Sequence, residues 1–164
     1  MKAIDMVRWA LQLTEGHSAK LVADMGDAPL TQPSPGRGNH TLWAMGHITF
    51  IEGVLVQVVT GETNPVAHWA PLFAAGTTPT TDAGAYPRFD EVVATFRKLR
   101  TANLKRLDEI GDAGLDQRPA WTPPGFGELM QTLGHAFLLV SLHQMMHHGQ
   151  IADARRAAGR APLM

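Results

Sequence analysis

The chain has 164 residues, of which 45% are hydrophobic and 18% charged, with eight histidines, no cysteine and a formal net charge of -1. That balance fits one domain, residues 1–164, with room for a real core, and excludes a disordered chain. The near-neutral charge gives no footprint for nucleic acid or an anionic membrane, and the lack of cysteine excludes disulfides, cysteine zinc sites and a cysteine nucleophile.

At the N-terminus Asp5 and Arg8 interrupt the apolar stretch and no small-residue cleavage site follows, so no signal peptide is expected. No run reaches the roughly 18 uninterrupted apolar residues of a membrane span. The expectation is a soluble cytoplasmic protein.

The first helical segment carries Ile4, Val7, Leu11, Thr14, Ser18, Leu21 and Met25 at steps of three and four, one continuous stripe. Residues 26–38, "GDAPLTQPSPGRG", are a connection. The second segment starts at Asn39, a good N-cap, and runs to Thr60 before Gly61, a suitable C′ residue. Its interior is apolar almost all round and should be buried on most sides, with His47, Glu52 and Gln57 as the polar exceptions.

Residues 61–87 form a long link in which "PVAHWAPLFAAG" either folds as a short helix or covers a site. The third segment, about Arg88 to Ile110, lines up Phe89, Val92, Phe96, Leu99, Asn103, Leu107 and Ile110. Arg97, Lys98, Arg100, Lys105 and Arg106 lie mostly on the opposite face. A second link covers residues 111–127, and the last helix spans about Glu128 to Ala158. Four long helices without a convincing strand predict an all-α four-helix bundle whose long connections leave room for a crossover.

The last helix has a core stripe of Leu129, Leu133, Ala136, Val140, His143, His147, Ile151 and Ala154. His143 and His147 therefore occupy places usual for Leu or Val. Two imidazoles one turn apart on a buried face can chelate one ion, and burial keeps them neutral, as a metal requires. Core histidines bonded to neighbouring helices explain a bare pair of this kind at least as well. Both falling on the stripe favours a metal, and His47, alone in an apolar helix, is the natural third ligand.

The other histidines fit less well. His148 is rotated about 100° from His147 and should face away, and His135 lies off the stripe and suits helix packing or a subunit contact. His17, His40 and His68 sit near ends or links, where solvated histidines are usual; His68, beside Trp69, is a candidate lid residue. Glu52 borders the His47 region as a hydrogen-bond partner or general base, or, more simply, forms an intersubunit or capping salt bridge. Gln150 can hydrogen-bond a ligating histidine and set its tautomer.

"WAMGHITFIEG" and "LHQMMHHGQIADARRAAG" resemble the DinB/YfiT-like metalloenzyme family. The matching positions are Trp43, Gly46 and His47, then His143, His147, Gly149, Gln150 and Ile151. The resemblance covers the chain in length and helix order and implies a four-helix bundle with a long crossover, often dimeric. It implies a three-histidine metal site at His47, His143 and His147, with positions left for water or substrate. It also implies thiol-dependent transferase or isomerase chemistry with a low-molecular-weight thiol, and no DNA polymerase activity. His148 stands where relatives often have Arg, which implies a less basic surface on the last helix.

The expected function is a metal-dependent transferase, isomerase or hydrolase using zinc or nickel, with iron or manganese as alternatives. The competing reading is a non-catalytic bundle whose histidines or metal serve structure and dimerisation. A ferritin-like di-iron site, H-E-x-x-H and the phosphate-binding glycine motifs are absent. Ser141 points elsewhere and is a poor nucleophile.

Overall fold

A computed structural model describes residues 1–33 and 38–163, so the expected 26–38 connection lies partly outside the described residues. The described chain is all-helical, with no strand. Its long helices are α1 (Ala3–Val22), α2 (Thr41–Thr60), α4 (Phe89–Gly114) and α5 (Leu133–Ala157). A single-turn α3 (Ala70–Phe73) lies between α2 and α4.

The long helices pack in a closed ring: α1 against α5, α5 against α2, α2 against α4, and α4 against α1. Side-chain pairings give their directions. Gln144 and Arg155 of α5 bond the Thr14 and Leu21 carbonyls of α1, so these helices run parallel. Ile4 and Arg8 meet Asp112 and Asp108, so α1 and α4 are antiparallel. Along α2 and α4, Met45 and Ile48 share a cluster with Val92 and Phe96, whereas Leu55 and Val58 share another with Leu107. These two helices are therefore parallel, and the link between them must travel back along the molecule. That return is why residues 61–87 are so long.

The α1 stripe is buried at every expected position from Ile4 to Met25. In α2, Gly61 closes the helix in the left-handed conformation with φ 76° and donates its N–H to the Gln57 carbonyl. The N-cap is His40 rather than Asn39: its Nδ1 accepts from the Trp43 N–H at 3.0 Å, and its Nε2–H donates to the Thr80 carbonyl at 2.9 Å. His40 is thus buried, contrary to the expectation of a solvated histidine. By length and composition α2 is apolar enough to cross a membrane, but 72% of its most apolar window is buried inside the protein, as in a core helix.

The helical backbone of α4 breaks at Gly111, next to the expected end at Ile110. The last helix begins later than expected, at Leu133 with Thr132 as N-cap, and Leu129 is left 57% exposed in the preceding turn. Thr132 accepts from the His135 N–H, a capping bond that the apolar stripe could not reveal.

Two apolar clusters occupy the ends of the helix ring, and a polar layer lies between them. Arg100 is fully buried, not solvent-facing as its basic neighbours suggested. It donates to Glu52 Oε1 at 2.5 Å, Gln144 Oε1 at 2.6 Å, Thr14 Oγ1 at 3.1 Å and the Leu11 carbonyl. Asn103 donates to Glu52 Oε2 at 2.9 Å. Glu52 is therefore held inside one chain by Arg100, neither intersubunit nor capping. Buried charge of this kind persists only where nearly every lone pair and proton finds a partner.

Candidate metal centre

His47 sits midway along α2, and His143 and His147 one turn apart on the antiparallel α5. One nitrogen from each lies within 4.8 Å of the others. The Nε2 of His143 is 3.2 Å from that of His47 and 3.1 Å from that of His147. His47 and His147 are buried, and His143 is half-buried.

The opposite ring nitrogens are already engaged. His47 Nδ1–H donates to the Phe73 carbonyl at 2.6 Å. His147 Nδ1–H donates to Gln150 Oε1 at 2.9 Å, and Asn39 Nδ2 donates to the same oxygen at 3.2 Å. With Nδ1 protonated in both rings, each Nε2 presents a lone pair towards His143. One proton on His143 Nε2 satisfies a single neighbour, whereas a metal ion satisfies all three nitrogens. Nitrogens about 3.3 Å apart are what a tetrahedral ion with 2.0–2.1 Å bonds requires. The residues present fit a divalent ion.

Burial pushes His47 and His143 down to about 4. For His47 the Phe73 carbonyl opposes the shift and His147 adds to it; for His143 both other imidazoles add to it. Burial also lowers His147, against the effect of Gln150. All three are neutral near pH 7, which leaves nitrogen lone pairs free for a metal.

Local packing explains the residues around His47. The Trp43 ring stacks on it with centroids 4.8 Å apart and planes 9° apart, and Trp43 Nε1–H is anchored on Thr77 Oγ1 at 2.9 Å. At position 46 a β-carbon would stand 2.1 Å from Phe73 Cε1, so only glycine lets Phe73 lie there and bring its carbonyl to His47.

The family profile of the DinB superfamily matches residues 10–151. The chain belongs to the DinB superfamily. No curated protein matches it. In this DinB protein the Trp43, Gly46 and His47 segment has a physical reading: one residue stacks on the histidine, one admits the carbonyl that sets its tautomer, and one presents the nitrogen.

A cavity of about 450 Å³ opens on His47 and His143. Its walls come from α2, α5, the 61–87 link and the segment before α5, including Phe50, Val54, Trp121, Phe126 and Met130. The "PVAHWAPLFAAG" stretch does both things expected of it, folding into α3 and covering the site. His68 itself is exposed and is not in the cavity wall, although Ala67 and Ala70 are.

His148 faces away from the pair, as expected, but into the interior rather than onto a surface. It is 5% exposed, and its Nε2 lies 2.8 Å from Ser18 Oγ. The reason is that α5 packs against both α1 and α2 and so buries two stripes. Phe137, Ser141, Gln144, His148 and Arg155 form the second. All of these but Phe137 are polar, which hid the stripe. His17 is half-buried beside His148, and His135 is exposed.

Nothing in the sequence marks Phe73, because its part is played by a backbone carbonyl, which carries no side-chain signal. Asn39, expected as the α2 N-cap, instead supports Gln150 through its Nδ2. Glu52 turns towards α4, away from the cavity wall.

Proposed function

We propose that this DinB protein is a metal-dependent enzyme of the transferase, isomerase or hydrolase type, built as a single four-helix-bundle domain. His47, His143 and His147 hold one divalent ion, zinc or nickel first, with iron or manganese as alternatives. The observation that carries this is the convergence of three Nε2 atoms, two with their lone pairs set by Nδ1 donation to Phe73 and Gln150. An ion bound there supplies Lewis acidity, lowering the pKa of a coordinated water or thiol to give a nucleophile near neutral pH.

The chain's own residues hold the imidazoles neutral, fix their tautomers and keep bulk water from the apolar side of the site. A purely structural role for the histidines would not call for a cavity opening on two of them. Elemental analysis of protein purified without added metal should find about one divalent ion per chain, and His143→Ala should lose it. Absence of metal even after reconstitution overturns the reading. Retained metal with no thiol-dependent transfer or hydrolysis in wild type, and only a lower Tm in His143→Ala, favours the non-catalytic alternative.

We also propose a cytoplasmic homodimer formed through α1 and α5. Met6 and Trp9 on α1 are 51% and 58% exposed, and Leu138 on the neighbouring α5, outside the cavity wall, is 42% exposed. Light scattering should show a dimer in wild type and a monomer for Trp9→Lys; a monomeric wild type contradicts the assembly.

A further inference from the structure

The wall of the cavity that opens on His47 and His143 contains no Asp, Glu, Lys or Arg among the described residues. Apart from the histidines, its polar members are Gln57 and Asn64. Asn64 is already committed, with Nδ2 donating to the Phe50 carbonyl at 3.2 Å and Oδ1 accepting from the Val66 N–H at 2.9 Å. The rest is aliphatic, aromatic or thioether surface.

The shape is elongated. On α2 the wall runs from His47 to Val58, about 16 Å along the helix at 1.5 Å per residue. On α5 it runs from Leu139 to Met146. The candidate metal ligands stand at one end and Gln57 near the other.

This protein does line a pocket with cations, but elsewhere. A cavity of about 280 Å³ between α1 and α5 has Lys20, Arg155 and Arg156 in its wall. A ligand carrying carboxylates, ammonium groups or several hydroxyls would find only the neutral Gln57 amide uncommitted in the larger cavity, with no charge to offset its own, and would lose most of its hydration on entry.

We infer that the cavity selects an elongated, uncharged apolar molecule with one ionisable metal-binding head, and rejects polar, multiply charged thiols of the peptide or amino-acid kind. The single head follows from charge. Three neutral imidazoles add nothing to offset a divalent ion, so one anionic ligand atom is favoured there and a second charge further along the wall is not. Gln57, half-buried with no side-chain hydrogen bond, offers the far end a neutral donor and acceptor. This selection of substrate rests on the metal-site reading above.

Three eight-carbon thiols separate the ideas: 1-octanethiol, 8-mercaptooctan-1-ol and 8-mercaptooctanoate, with glutathione as the polar reference. Each is titrated into the metal-free protein, followed by tryptophan fluorescence (Trp121 lines the wall), and into cobalt-loaded protein, followed by the thiolate-to-cobalt absorption. Octanethiol and the terminal alcohol should bind at least about tenfold more tightly than the carboxylate or glutathione in both forms. Val54→Trp, which fills the wall, should weaken octanethiol binding at least about tenfold while cobalt uptake is unchanged.

Equal or tighter binding of the carboxylate or glutathione overturns the inference, as does undiminished octanethiol binding by Val54→Trp. Failure to take up cobalt defeats the metal reading instead, and the metal-free titration then decides the cavity's selectivity by itself.

Discussion

Phe73 lies directly over Gly46, with no room for even a methyl group between the ring and α2, and from that position its carbonyl accepts the Nδ1 proton of His47. A glycine in one helix thereby sets which nitrogen of the next residue faces the other histidines. Gly46→Ala should push Phe73 outward, release His47 from its tautomer and lower metal affinity about 10–100-fold. A chelator competition titration measures this; unchanged affinity would show that the carbonyl contact does not govern the ligand.

Gln150 plays the matching part for His147, with Asn39 holding the amide in place. Gln150→Leu keeps the size but removes the acceptor, and a metal affinity lower by about 10–100-fold is expected. Because Gln150 is only half-buried, the Tm of the metal-free protein should move little. A large loss of stability with affinity intact would make the residue structural.

The ion pair of Glu52 and Arg100 is fully buried. Glu52→Ala leaves the guanidinium without its charge partner and should cost about 3–5 kcal/mol by urea unfolding, the usual result of breaking a buried pair. The folded fraction should still bind metal with wild-type stoichiometry, since Glu52 is not in the cavity wall. Loss of metal from well-folded Glu52→Ala protein would reassign this residue to the site.

The metal-free protein should lose stability as pH falls from about 6.5 towards 4. Burial holds His47, His143 and His148 at about 4 in the folded state, well below the ordinary histidine value. Between these values the unfolded chain binds protons that the folded chain does not, so their contribution is intact above the unfolded pKa and declines through this window. Thermal melts across it test the sign; a Tm that is flat or rises on acidification contradicts neutral burial of these rings.

His148→Ala should separate the two histidine groups of α5. Its ring belongs with Ser18 and the polar layer, so Tm should fall while metal stoichiometry stays at the wild-type value. Loss of metal in a folded His148→Ala protein would place this histidine in the centre after all.

The α1 stripe, the apolar α2 and the pairing of His143 with His147 were legible because helical periodicity and side-chain polarity are local properties written into neighbouring positions. His47 was reachable by the same logic, as a lone polar residue on a helix that had to be buried. Arg100, Gln144 and His148 were not. Their burial depends on partners contributed by other helices, three for Arg100, two for Gln144 and one for His148, and polarity alone predicts solvent for each of them.

The amino-acid sequence by itself determined which segments become helices and which histidines share a face of α5. Only the tertiary structure decided that α2 and α4 run parallel, that the 61–87 link folds back over the cavity, that the Phe73 carbonyl orients His47, and that the distant Asn39 amide steadies Gln150. Periodicity encodes which side of a helix is apolar but not what lies opposite, and a carbonyl is the same on every residue. The geometry of this site therefore arises from packing between segments far apart in the chain.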